Sequence, residues 1–446
     1  MRARRKETSV ISRTFRRTAG AVTATLAVTL AACGPAGEGG NGDGQPEAGE
    51  FEGRGPINYV AGRDVTGTMQ DIIDEWNAEN PDEEVTYVEL PEDPDSQRQQ
   101  IIQNAQTQAD TYGVINVDNV WTAEFAANQW LEPLPEDEFP VDEMLEPVAE
   151  TARYQDQMYT VPFWTDAGLL YYRTDLLDEA GIDEPPATWT ELEQQCDQVL
   201  RLPEADGVSC YAGQFEKYEG LTVNFAEAVQ SAGGAVTGED GTPTVDTAEA
   251  REGLRFLVEG FESGLIPEAA ITYQEEEGRQ AFQDGNLLFH RQWPYQYALA
   301  SADDGSSDVA GAFDVAPLPG ADGPGSSSLG GWNLGVSVFA ENKATALDFV
   351  KYMTSKENQR RNLEDATLAP AYAELYEDPE LVEEFPYLPE LRESIESAVP
   401  RPKVVRYGDA TAAIQDYAYA AITGDADPEQ ALSGLQERLE EITGGQ

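Results

Sequence analysis

The chain has 446 residues and a formal net charge of -55 at pH 7. This length exceeds one ordinary hydrophobic core and suits two α/β lobes of about 150 to 200 residues each. Nucleic acid is excluded as a partner, because phosphate binding needs clustered Lys and Arg, and acidic residues outnumber these 83 to 28. The acidic residues are spread along the whole sequence, which favours solubility but does not identify a ligand.

The first 32 residues resemble a secretory signal. Basic residues up to Arg17 precede an apolar segment, 19–32, that is too short and too rich in Ala and Thr for a membrane span. The sequence Leu30-Ala31-Ala32-Cys33 resembles a bacterial lipoprotein processing site, and the alternative is a chance cysteine after an apolar run. We predict an extracytoplasmic protein, anchored to the membrane by lipidated Cys33, with a flexible tether over residues 33–55 that is rich in Gly, Glu and Pro.

The two other cysteines, Cys196 and Cys210, are spaced to close a short loop. In an exported protein a disulfide is the default, and it stabilises by roughly 3 kcal/mol in the chain-entropy model. A metal pair is disfavoured, because no His or further Cys lies nearby in the sequence. We therefore predict a disulfide between them.

The first predicted elements form a βαβαβ unit. Apolar periodicity predicts strands at 57–60, 84–90 and 113–117, with helices at 69–80 and 97–108 between them. This order implies an open, mainly parallel sheet, whose ligands bind beyond the carboxyl ends of the strands. Arg63, Asp64 and Asp118 fall at such edges.

The next elements connect two lobes. Thr165-Asp166-Ala167-Gly168 has loop chemistry, and the apolar run at 169–172 predicts a buried strand. A short helix ending at Gly181 follows, and then a capping box formed by Thr188 and Glu191. The later elements are predicted as helices at 247–263 and 275–284, a returning strand at 332–338, a helix at 344–354, a last crossing near 365–370 and a helical tail.

Several segments resemble family 1 extracellular solute-binding proteins, the sugar-binding subunits of ABC importers. They are residues 162–192 (PFWTDAGLLYYRTDLLDEAGIDEPPATWTEL), 218–229, 282–285, 291–295, 330–332 and 401–402. The similarity is greatest to the trehalose and α-glucoside binding branch, which includes actinobacterial trehalose-binding lipoproteins.

The resemblance implies a fold and a mechanism. The expected fold is an α/β, two-lobe, periplasmic-binding-protein-like clam-shell of type II, with a three-segment hinge. Lobe 1 would comprise residues 56–167 and 326–367, and lobe 2 residues 168–325 and 368–446. The closed protein, a monomer without cofactor or metal, would deliver an α-linked disaccharide, with trehalose favoured, to ABC permease subunits without altering it.

The resemblance also implies a set of substrate-binding residues: Asp64, Asp118, Asp166, Glu275, Trp293, Gly331 and Arg406. The carboxylates would accept hydrogen bonds from sugar hydroxyls, and Arg406 would donate one. Trp293 would stack on a sugar ring, and Gly331 would allow close approach of the backbone.

Five of these residues also have a structural alternative. Asp64 and Asp118 fit ordinary helix caps or loop residues, and Trp293 before a proline fits a core position. Glu275 begins a run of three glutamates, so the match is open to a shift of one residue. Arg406 fits a surface charge, since the surrounding sequence departs from the Pro-containing pattern of the family.

Other functions remain open from the sequence. Maltose, maltodextrin or another oligosaccharide is an alternative ligand, and a glycoside hydrolase also combines Trp with carboxylates. An acidic cleft also suits iron, a peptide or a polyamine. The sequence contains no Gly-x-Ser-x-Gly elbow, P-loop or dinucleotide fingerprint, and its single histidine, His290, does not support a His-based metal cluster.

Overall fold

A computed structural model describes residues 51–238 and 241–444. The predicted signal segment, Cys33 and most of the predicted tether lie outside the described residues. Within the described ranges, no helix has the length and apolar character needed to cross a membrane.

The strands occupy short segments throughout the described chain. They are β1 (Ile57–Ala61), β2 (Val85–Glu89), β3 (Val114–Asp118), β4 (Arg153–Tyr154), β5 (Gln157–Met158), β6 (Thr160–Ala167), β7 (Leu169–Arg173), β8 (Ser209–Ala212), β9 (Leu287–Gln292), β10 (Phe313–Ala316), β11 (Ser328–Val336) and β12 (Val399–Pro400).

The α-helices are longest in the second half of the chain. They are α1 (Met69–Glu79), α2 (Pro94–Gln106), α3 (Thr122–Ala127), α4 (Glu146–Ala149), α5 (Thr174–Ala180), α6 (Trp189–Val199), α7 (Glu219–Ser231), α8 (Ala248–Ser263), α9 (Glu275–Gln283), α10 (Gln296–Ser301), α11 (Lys343–Met353), α12 (Lys356–Ala366), α13 (Pro379–Glu384), α14 (Leu388–Glu396), α15 (Tyr407–Ile422) and α16 (Pro428–Thr443).

The larger sheet is built on the predicted βαβαβ unit. β1 pairs in parallel with β2 and β3, with Ile57 opposite Val85 and Tyr59 opposite Val114. One face of α1 is buried through Met69, Ile72, Ile73 and Trp76. The parallel sheet is thus confirmed, and β1 and β3 end at the same edge.

β11 adds to this sheet and links it to β6 and β12. It runs antiparallel to β3 and β6 and parallel to β12. It begins at Ser328, four residues before the predicted start at 332. The reason is tertiary pairing, because Leu329 lies opposite both Ala167 of β6 and Pro400 of β12.

The prediction of a loop at residues 165–168 is wrong for all but its last residue. Thr165, Asp166 and Ala167 belong to β6 and pair with β11. Only Gly168 separates β6 from β7, because the backbone pairing to a distant strand outweighs the local turn preference of the sequence.

The smaller sheet has the order β10-β7-β9-β8. β7 runs antiparallel to β9 and β10, whereas β8 and β9 are parallel. The predicted capping box of Thr188 and Glu191 begins α6. The predicted disulfide is also confirmed, since Cys196 of α6 bonds to Cys210 of β8 with their Cα atoms 5.5 Å apart.

Three passages connect the two sheets side by side. The chain leaves the larger sheet after Ala167, returns at Ser328 and leaves again after Pro400. The crossings are hydrogen-bonded to one another, because the Gly168 N–H donates to the side-chain Oγ of Ser327 at 2.5 Å and the Val399 N–H donates to the Ser327 carbonyl at 2.9 Å. The arrangement forms a two-lobe α/β fold in which the crossings lie together.

The contacts place the third crossing later than the sequence suggested. Residues 368–398 were expected in lobe 2, but Leu145 N–H donates to the Ala371 carbonyl at 2.9 Å and Tyr372 OH to the Thr354 carbonyl at 3.2 Å. In addition, α14 packs against β6. This segment therefore belongs with the larger sheet, and the boundary moves from residue 367 to about residue 400.

Candidate functional site

A cavity lies at the carboxyl edge of β1 and β3, between elements of the two sheets. The larger lobe lines it with the loops that follow these strands, with β6 and with β11. The smaller lobe lines it with the first residues of α7 and α9 and the segment after β9. Six of the seven predicted binding residues meet here: Asp64, Asp118, Asp166, Glu275, Trp293 and Gly331.

Asp64 shapes the loop that follows β1. Its Oδ1 accepts hydrogen bonds from the backbone N–H groups of Thr66 and Gly67 at 3.0 and 2.9 Å. Its Oδ2 accepts one from Met69 N–H, the first residue of α1, at 2.8 Å. The carboxylate therefore acts as a cap while it also lines the cavity, and much of its hydrogen-bonding capacity is already used.

Asp118 is held by an arginine that the predicted site did not contain. Arg401 donates from Nη2 to Asp118 Oδ1 at 2.6 Å and from Nη1 to Oδ2 at 3.2 Å. The same Nη1 donates to Glu219 Oε1 at 2.6 Å. All three side chains are buried, and burial raises the pKa of Glu219 to about 7.

Asp166 lies on β6, which β11 separates from β3, and little compensates the charge of its carboxylate. Its carboxylate has the Trp164 side chain as a hydrogen-bond partner, two residues earlier on the same face of the strand. Burial raises the pKa of Asp166 to about 8, against the weaker opposing effects of Trp164 and Arg291. Burial thus favours the neutral form of Asp166 at neutral pH.

The three consecutive glutamates at the start of α9 have different partners and roles. Glu275 lines the cavity and accepts from Tyr218 OH at 2.7 Å, and burial raises the pKa of Glu275. Glu276 lines it too and accepts from Tyr295 OH at 2.7 Å. Glu277 instead caps the helix by accepting from Gln274 N–H at 3.1 Å.

Three half-buried tryptophans provide apolar surface in the cavity. Trp164 and Trp332 lie opposite each other on β6 and β11, with ring centroids 6.4 Å apart. Trp293 follows β9, and the guanidinium carbon of Arg291 lies 3.9 Å from its ring centre. The cation packs over one face of the indole and fixes its orientation.

Two glycines allow the close packing around Trp293 and β6. A Cβ atom on Gly330 would lie 2.9 Å from Trp293 Cζ3 and 3.0 Å from the Cβ of Asp166. Gly331 has φ +114°, and a Cβ there would lie 2.6 Å from the Trp164 carbonyl oxygen. Both positions therefore exclude a side chain, and Gly331 also has a backbone conformation that favours glycine.

A buried ion pair connects the tryptophan to the crossings. Arg291 donates to both oxygens of Glu227, at 2.7 and 2.5 Å. Glu227 Oε1 also accepts from Ser328 N–H at 3.1 Å, at the second crossing. A Cβ on Gly168, at the first crossing, would lie 2.7 Å from the Arg291 guanidinium. The ion pair therefore contacts the first and second crossings and the Trp293 ring.

Arg406 is the predicted residue that the structure does not bring to the cavity. It is exposed and donates from Nε to Asp409 Oδ2 at 2.7 Å, at the start of α15. The surface-charge alternative therefore describes it better, and Arg401 supplies the buried guanidinium instead. The sequence did contain a pointer to Arg401 as a cavity residue, because residues 401–402 are one of the segments that carry the family resemblance.

Sequence reasoning missed several further cavity residues: Glu219, Trp164, Trp332, Glu276, Tyr295 and Gly330. Most lie within or beside the segments that carried the resemblance, but no spacing rule placed them in one cavity. The single histidine is buried away from the cavity lining, with Nδ1 2.9 Å from Gln296 Oε1, and burial lowers the pKa of His290 to about 3.

The assembled side chains suit a neutral polyhydroxylated ligand. Carboxylates accept hydrogen bonds from hydroxyl groups, and indole faces pack against C–H surfaces. In residues 51–238 and 241–444, no group of three or more His, Cys, Asp or Glu is arranged to hold a metal ion. The cavity therefore offers recognition groups for a sugar from both lobes.

Replacing Asp166 with Asn tests the cost of its buried charge. Burial raises the pKa of Asp166 to about 8, against about 3.9 in an unfolded chain. Asp166 therefore does not reduce the free energy of unfolding below about pH 4, and the reduction grows as the pH rises and is complete above about pH 8. We expect Asp166→Asn to raise the thermal midpoint more at pH 9 than at pH 5, measured by differential scanning calorimetry. The exposed Asp322→Asn controls for removing one negative charge, and an equal shift of the Asp166 variant at both pH values would contradict this assignment.

The chain is similar to a known protein family, to a related protein and to a solved structure. The model of the family described as bacterial extracellular solute-binding protein matches residues 62–360. A probable ABC transporter-binding protein of Deinococcus radiodurans is 32% identical over 382 residues, which cover 83% of this chain and 89% of that protein. The structure of maltose-bound T. maritima MalE3 is 32% identical, with a TM-score of 0.82, and the match covers 87% of this chain and 99% of that chain.

A more distant structure supports the fold alone. The GacH receptor of Streptomyces glaucescens, solved unliganded and in complex with acarbose, is 23% identical with a TM-score of 0.76. The match covers 88% of this chain and 99% of that chain. Because the family model spans more than half of the sequence and the Deinococcus radiodurans relative covers most of it, this chain belongs to the bacterial extracellular solute-binding protein family.

Proposed function

We propose that the chain is the substrate-binding protein of an ABC sugar importer and that it binds an α-linked disaccharide in the cavity between its lobes. The observation that carries this proposal is the composition of the cavity. Both lobes contribute carboxylates, from Asp118 and Asp166 on one side and Glu275 on the other, and Trp293 adds an aromatic face. A ligand that contacts both sides favours the closed arrangement over the open one.

Trehalose and maltose are the two leading ligands. The resemblance to the trehalose and α-glucoside branch favours trehalose, whereas the 32% identity to maltose-bound T. maritima MalE3 supports maltose. Both sugars consist of two glucose rings with α linkages and present similar ring faces and hydroxyls. Within this class we favour trehalose, and maltose or a maltodextrin is the alternative.

The proposed cellular role follows from this binding activity. The protein acts outside the cytoplasm as a monomer, held at the membrane by lipidated Cys33, and passes the sugar to permease subunits. Its closed form is the one that the permease recognises, because closure changes the relative position of the two lobes.

Glycoside hydrolysis is less well supported by the geometry. Hydrolysis needs one carboxyl that donates a proton, a role that the raised pKa of Asp166 would suit, and a second carboxylate that is free to act as base or nucleophile. Asp118 and Glu219 are instead both ion-paired to Arg401, and Glu275 accepts a hydrogen bond from Tyr218. The hydrogen bonding thus favours a site that binds a sugar without cleaving it.

Isothermal titration calorimetry with trehalose, maltose, maltotriose and cellobiose tests the function. We expect one-to-one binding of an α-linked disaccharide and no binding of the β-linked cellobiose, because the second ring of a β-linked sugar lies differently. Thin-layer chromatography of the recovered sugar should show no cleavage. Binding of none of these sugars, or cleavage of one, would contradict the proposal.

Trp293→Ala tests the stacking surface. We expect the affinity for the bound disaccharide to fall by about tenfold or more, equivalent to about 1.4 kcal/mol, because the variant loses the apolar face held by Arg291. The matched control is Trp130→Ala, which removes another half-buried indole that packs on Phe125 outside the cavity. Equal affinities of wild type and Trp293→Ala would remove Trp293 from the site.

A further inference from the structure

We propose that Arg401 is a positioning residue that couples the orientation of Asp118 to closure of the lobes through Glu219. The proposal rests on the sugar-binding function, because it concerns the same cavity. Arg401 directly follows β12, the last strand before the chain leaves the larger sheet for the third time. Its side chain therefore lies where a change in lobe orientation has to be absorbed.

The contact with the larger lobe fixes the Asp118 carboxylate. Two guanidinium nitrogens of Arg401 reach its two oxygens at 2.6 and 3.2 Å, and Nη2 also reaches Asn119 Oδ1 at 3.3 Å. Such a two-pronged contact restrains both the position and the plane of a carboxylate. Arg401 therefore sets the directions in which the Asp118 carboxylate can accept further hydrogen bonds.

The contact with the smaller lobe uses the same guanidinium. Nη1 of Arg401 lies 2.6 Å from Oε1 of Glu219, the first residue of α7. Glu219 is in turn held by α15, because its Oε1 accepts from Tyr407 OH and its Oε2 from Thr411 Oγ1 at 2.7 Å. One buried cation is thus shared between carboxylates from the two lobes.

Sharing the cation makes the link sensitive to the angle between the lobes. Opening would separate Glu219 from Asp118, so that Arg401 would lose one of its two carboxylates. A buried charge that loses its partner is destabilised, which makes separation unfavourable. The ion pair with Glu219 therefore favours the closed arrangement.

A neighbouring contact between α2 and α15 also joins the two lobes. Gln415 Nε2 of α15 donates to Asp95 Oδ2 of α2 at 3.1 Å. Gly408 of α15 lies against the guanidinium of Arg98 of α2, which a Cβ at this position would overlap. The link through Arg401 is thus part of a direct contact between the lobes.

The variant Glu219→Gln breaks only the ion pair of Arg401 with the smaller lobe. It removes the charge on the smaller lobe and leaves the contact between Arg401 and Asp118 in place. If the closed fraction of the sugar-free protein falls about tenfold, the affinity for trehalose or maltose weakens about tenfold. Small-angle X-ray scattering should show a larger radius of gyration than wild type without sugar and the wild-type value at saturating sugar.

Two further variants keep this test decisive. Tyr407→Phe removes one hydrogen bond to Glu219 and should shift both measurements in the same direction by less, so it replaces Glu219→Gln if that variant does not fold. Arg360→Gln is the matched control, since it breaks ion pairs with Asp378 and Glu364 away from the crossings and should change neither measurement.

The outcomes also separate this proposal from the sugar-binding function. A Glu219→Gln protein with a lower thermal midpoint but the wild-type radius of gyration and affinity would overturn the coupling and leave a structural role. If wild type binds neither sugar, the proposed function fails. The comparison of the radii of gyration without sugar still decides the coupling in that case.

Discussion

The buried ion pair between Arg291 and Glu227 is the interaction on which the site depends most. Its cation packs over the Trp293 ring, and its carboxylate accepts the backbone N–H of Ser328 at the second crossing. A buried Arg needs such a partner, because an unpaired charge in the interior is costly. The orientation of the proposed stacking surface is therefore linked to the strands that join the lobes, and Gly168 leaves space for the guanidinium.

The cavity combines this rigid aromatic surface with carboxylates in unlike environments. Asp118 is paired with a cation, Glu275 accepts from a tyrosine, and Asp166 has its pKa raised to about 8 by burial. A neutral sugar suits such a site, since its hydroxyls both donate and accept hydrogen bonds and adapt to either protonation state of a carboxyl.

Local patterns predicted much of the fold, and long-range contacts account for what they missed. The βαβαβ unit and the capping box of Thr188 follow from periodicity and spacing, which act within a few residues. Asp166 belongs to a strand because β6 pairs with β11, far along the chain. Arg401 replaces the expected Arg406 because β12 brings it to the cavity, and no sequence signal specified the pairing of β12 with Leu329.

A crystal structure of the protein with saturating maltose or trehalose tests the central claim most directly. We expect one disaccharide between the lobes, with a ring stacked on Trp293 and hydroxyls at hydrogen-bond distance from Asp118 and Asp166. The glycosidic bond should be intact. A sugar bound outside this cavity, or cleaved products within it, would contradict the account.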